Sequence, residues 1–77
     1  MSTVELPKET IEYSIDLQVT MAVEEIAKIA NEKPENILPL FLESKTGKLL
    51  LEDDSKLWTE GPSYIVEMYM REKGLAE

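Results

Sequence analysis

Apolar residues at three- and four-residue spacing constrain this chain more than any other feature: Ile11, Ile15, Val19, Ala22, Ile26 and Ile29. That period traces one side of an α-helix, and Glu12, Asp16, Thr20, Glu24 and Lys28 fall outside the stripe. Pro7 suits a first helical position, and Glu9 and Glu12 suit the positive end of a helix. The segment from Pro7 to Glu32 therefore reads as one long helix. Ile11, Tyr13, Ile15, Leu17, Val19 and Met21 also occupy alternate positions, which is the period of a strand. A strand there would have only Lys48–Leu51 or Tyr64–Met70 to pair with. Helix is the preferred reading, because 22–30 is helical in pattern and no turn chemistry separates it from Ile11. In that reading Tyr13, Leu17 and Met21 form a second, shorter stripe that needs its own cover.

Two further segments follow. Lys33-Pro34 opens the second, and Ile37, Leu38, Phe41 and Leu42 make a short amphipathic helix. Pro39 is expected to distort its first turns, unless Asn36 is the N-cap and Pro39 sits in the first turn. Gly47 reads as the stop of this helix, with Lys45 and Lys48 near its negative end. Leu49 to Ser55 is either a single helical turn or an extended piece, and its acidic end, Glu52-Asp53-Asp54, reads as a turn. Gly61-Pro62 announces the last helix, which should run to about Lys73 and stop at Gly74. Its exposed face is narrow: Ser63, Glu67 and Arg71. The expected fold is all-α, a small three-helix bundle with a short extra turn between the second and third helices. The alternative is α+β with a strand at 11–19. Residues 1–77 read as a single small helical domain.

Composition removes most reaction classes. The 77 residues contain no His and no Cys, and the formal net charge is −8. Thiolate nucleophiles, Cys/His zinc sites and histidine acid–base work are excluded. Glu24-Glu25 and Glu52-Asp53-Asp54 are the densest carboxylate groups. Acids adjacent in sequence lack the facing geometry of a glycosidase pair and the context of a calcium loop. They read as a solvated acidic surface. Lys45-Thr46-Gly47-Lys48 lacks the earlier glycine of a phosphate loop, and Leu49 stands where Ser or Thr is needed. Nucleic acid is an improbable partner for a chain with a single arginine, Arg71. The same charge argues against a basic membrane-surface helix, and the apolar run 37–42, broken by Pro39, is far too short to span a bilayer. Met1-Ser2-Thr3-Val4-Glu5 lacks the basic and apolar regions of a leader, so a cytoplasmic location is the expectation. No cofactor or metal is implied.

Trp58, the only tryptophan, reads first as a core residue across the start of the last helix, and second as an interface anchor. Met21, Met68 and Met70 divide the same way between gap-filling and binding. The segment Leu57-Trp58-Thr59-Glu60-Gly61-Pro62-Ser63-Tyr64-Ile65-Val66-Glu67 resembles the closing motif of a family of short, mostly helical bacterial proteins classed as domains of unknown function. The family pattern is Leu-x-Thr-x-Gly-x-x-Tyr-Ile-Val, matched here by Leu57, Thr59, Gly61, Tyr64, Ile65 and Val66. Trp58 and Pro62 depart from its commonest form. The resemblance covers about the last two-thirds of the chain and implies no catalytic residue. Some such proteins are encoded beside ADP-ribosyltransferase-like toxins, which implies an accessory or antitoxin-like role.

A chain this short buries only about 60% of its unfolded surface, so a partner would contribute usefully to stability. The functional expectation is a small acidic protein–protein interaction module without catalysis, its partner another protein or a second copy. The alternative is an antitoxin-like partner that neutralises a basic-surfaced enzyme. Candidate interface residues are Tyr13, Leu17, Met21, Trp58, Tyr64 and Met68.

Overall fold

Pro7 starts the first helix from outside it. Its backbone is extended, and its carbonyl accepts the amides of Thr10 and Ile11 at 2.9 and 3.1 Å. Pro7 is thus the cap residue, one position earlier than expected. The computed structural model describes residues 7–74. The segment 1–5, expected not to be a leader, lies outside them.

Helix α1 (Lys8–Ala30) is followed by α2 (Pro34–Glu43), α3 (Lys45–Leu50), two 3-10 turns (Asp53–Ser55 and Leu57–Thr59) and α4 (Pro62–Glu72). The all-α expectation holds. The strand alternative at 11–19 does not: those residues lie inside α1, and no strand occurs among the described residues. A continuous helix buries Ile15, Val19, Ala22, Val23, Ile26 and Ala27 on one side, and a strand would have pointed alternate residues to opposite faces. Asn31 ends α1 in the left-handed conformation, and the Glu32 amide returns to the Ala27 carbonyl at 2.8 Å.

The extra turn expected within Leu49–Ser55 is present as the 3-10 turn Asp53–Ser55, and a further helix, α3, precedes it and takes in Leu49 and Leu50. Gly47 does not stop α2. It lies inside α3, where a Cβ would run into the Phe41 carbonyl oxygen and stand 2.8 Å from the carbonyl carbon. Only glycine permits the end of α2 to approach α3 this closely. The stop is Ser44, which turns extended, leaves α2 and caps α3 with its hydroxyl. Lys45, assigned to the end of α2, opens α3 instead. Asn36 is not the cap of α2: Lys33 occupies that position, and the Asn36 side chain donates to the Glu32 carboxylate at 3.0 Å. Helix α2 runs through Pro39, which is exposed.

The core joins α1, α2, α3, the second 3-10 turn and α4 around Phe41, Ile26, Leu50 and Ile65. The Phe41 and Tyr69 rings meet at 5.6 Å, tilted by 41°. Two stripe assignments change. Ile29, expected in the core, is exposed, because α2 and α4 do not close over the last turn of α1. On α2 only Ile37 and Phe41 are buried, while Leu38 and Leu42 lie at the margin of solvent, because α2 meets the core along one narrow i,i+4 ridge.

The motif residues of the C-terminal half have structural positions. Leu57, Ile65 and Val66 are buried. The Thr59 hydroxyl donates to the Lys56 carbonyl at 2.6 Å, closing the second 3-10 turn. Gly61 caps α4, and the helix ends as expected, with Gly74 in the left-handed region. Gln18 ties this segment to α1 by donating to the Glu60 carbonyl at 2.9 Å.

Candidate functional site

Polar chemistry gathers in one place, the joint between α2 and α3. The Ser44 hydroxyl accepts the Gly47 amide at 2.9 Å and donates to the Phe41 carbonyl. Glu72, at the end of α4, accepts the Lys45 amide at 2.8 Å, the Thr46 amide at 2.9 Å and the Thr46 hydroxyl at 2.8 Å. Partial desolvation raises the pKa of Glu72. The Thr46 amide, the Lys45 amide, the Thr46 hydroxyl and the Lys73 charge together outweigh it and hold the carboxyl below its ordinary value of 4.5. These bonds tie the end of α2 and the start of α3 to the end of α4, so the joint is a latch between helices. Sequence reading missed it. A Ser three residues before a buried Gly was its local signal, but the deciding partner lies 26 residues beyond Thr46.

Apolar side chains gather on two open surfaces. The first is the outer side of α1, where Tyr13, Leu17 and Met21 stand 68%, 45% and 41% exposed on successive turns. Glu9, Asp16, Glu24 and Glu25 surround them and are exposed as well. At the Met21 end, a shallow cleft of about 180 Å³ brings Met21, Glu24, Glu25 and Lys28 against Pro62 and Ser63. The second surface is a groove of about 580 Å³ between the last turns of α1, α2 and α4, lined by Ile26, Ile29, Ala30, Ile37, Leu40, Tyr69 and Met70. Ile29 and Leu40 form its exposed lips.

The six candidate residues divide. Tyr13, Leu17 and Met21 share the α1 face, as their spacing implied. Tyr64 is half exposed on α4, just beyond the Pro62–Ser63 edge that meets Met21. Trp58 and Met68 are partly buried and pack on the core, so they do not join a common surface. Sequence spacing does not foretell the groove: it places Ile29 on the core stripe and gives Leu40 no face.

Among the described residues, no three carboxylates converge in a way that would hold a metal ion. No described helix is long and apolar enough to cross a membrane. Comparison with protein-family models, with curated proteins and with solved structures finds no match to this chain.

Proposed function

We propose that this protein is a small acidic interaction module that binds another protein and performs no catalysis. One observation carries the reading. The helices close a core of fourteen buried apolar residues, yet ten large hydrophobic side chains stay exposed among the described residues, and five of them group on two surfaces: Tyr13, Leu17 and Met21 on α1's outer face, and Ile29 and Leu40 at the lips of the groove. Grouped apolar exposure marks an interaction surface, whereas scattered apolar residues are ordinary. The polar groups at the joint hydrogen-bond to one another, and these two surfaces are the grouped apolar area that the fold leaves open to a partner.

Affinity capture from the native host, with and without about 0.5 M salt, tests the reading. A partner retained by the native chain and released by combined Leu17→Ser and Leu40→Ser substitution is the expected result. A chain that stays at its monomer mass of 8.8 kDa at micromolar concentration and retains no protein in either buffer defeats the proposal.

A second reading, the antitoxin-like or accessory partner of a basic-surfaced enzyme, draws on the net charge of −8. It differs in its salt response. A complex steered by charge weakens strongly in high salt, whereas one held by apolar burial does not.

A further inference from the structure

The two open surfaces differ in their surroundings, and the difference identifies what covers one of them. Tyr13, Leu17 and Met21 lie four residues apart, so they form a single straight ridge along α1, about 12 Å long. The core residues Ile15, Val19 and Ala22 face the other way. Glu9 and Asp16 stand one turn from Tyr13, and Glu24 and Glu25 stand one turn from Met21. None of these four carboxylates enters an ion pair among the described residues, where Arg71–Glu67 is the pair formed. Lys8 precedes the ridge, and Lys28 stands one turn beyond Glu24 and Glu25 in the cleft at the Met21 end, so acids outnumber bases around the ridge.

We propose that this face binds a cationic amphipathic helix. Its apolar side chains cover Tyr13, Leu17 and Met21, and its Lys or Arg side chains meet Glu9, Asp16, Glu24 and Glu25. A ridge at i, i+4 spacing is the shape that fits between the ridges of a facing helix. The unpaired acids around it select a partner of opposite charge. A second copy of the chain is a poor occupant, since it would set one ring of carboxylates against another and join two molecules of charge −8. The lining of the Ile29–Leu40 groove includes no charged side chain, so nothing in it specifies an occupant. The proposal rests on the interaction-module reading and adds the face and the partner's chemistry.

The test uses the full chain and two synthetic helical peptides of about 14 residues, enough for the three turns required. Both carry leucine at i, i+4 and i+7 spacing. One has lysine at its remaining positions and the other glutamate. The lysine peptide is expected to bind at least about tenfold more tightly than the glutamate peptide, a difference of about 1.4 kcal/mol. Amide shifts should concentrate between residues 9 and 25. Leu17→Ser and Tyr13→Ser should each weaken binding about tenfold while leaving the urea midpoint in place, and Leu40→Ser should leave binding unchanged.

Four results would overturn the proposal, and they separate it from the reading beneath it. Equal binding of the two peptides removes the charge selection. Shifts that map to Ile29 and Leu40 move the site to the groove and leave the module reading intact. A doubled mass abolished by Leu17→Ser makes a second copy the occupant. No binding by a chain that is monomeric and retains no host protein removes both.

Discussion

The joint at α2–α3 and the outer face of α1 are opposite solutions to the same problem of unsatisfied groups. At the joint, the buried Ser44 and Thr46 side chains, together with three α3 amides, find partners inside the chain, with Glu72 brought from the far end of the sequence to complete the set. On α1, Tyr13, Leu17 and Met21 stay 41–68% exposed, and Glu9, Asp16, Glu24 and Glu25 form no ion pair among the described residues. The most elaborate cluster is structural, and the plainest surface is the one left available.

Substitutions can break this contrast, and the largest effects should come from the core that supports both regions. Ile26→Ala and Tyr69→Ala remove side chains that are almost fully buried, and each should cost about 3 kcal/mol in urea unfolding. Gly47→Ala attacks the joint directly. The added methyl group meets the backbone of Phe41, which cannot rotate away, so a loss of about 2–3 kcal/mol is expected. A tolerated alanine would show that the close approach of α2 to α3 is not what holds the joint.

Glu72→Gln should cost less, about 1 kcal/mol, because the carboxylate remains open to solvent and amide bonds are partly retained. It also carries a pH signature. The folded-state pKa of Glu72 lies below its unfolded value, so its stabilisation is complete above about 4.5 and disappears as the pH falls through the folded value. The native chain should thus lose more stability than Glu72→Gln on acidification below that point, and parallel loss would remove Glu72 from the latch. On the other side of the contrast, Tyr13→Ser, Leu17→Ser and Glu24→Ala should each shift stability by less than about 0.5 kcal/mol. A larger loss at Tyr13 or Leu17 would mean that the α1 face is already covered within the fold.

Local signals were legible and distant ones were not. Pro62 and Gly74 announced the last helix because starts and stops depend on the residue itself. The stripe on α1 was readable, as was the second stripe of Tyr13, Leu17 and Met21, because both are periodicities along one helix. Ser44-Lys45-Thr46-Gly47 could close one helix or open another, and the choice falls to the Phe41 carbonyl and to Glu72, one across a turn and one far along the chain. Ile29 and Leu40 escaped for a related reason. Their exposure depends on where α2 and α4 leave α1 uncovered, which no property of either residue encodes.

The crowding at Gly47 also bears on ancestry. A position that admits no side chain cannot drift, whereas the outward residues of the long first helix carry no such packing constraint. Distant kin of this chain should therefore be sought by a small hydroxyl residue, a glycine three places later and an acidic residue 26 positions after Thr46, rather than by overall resemblance.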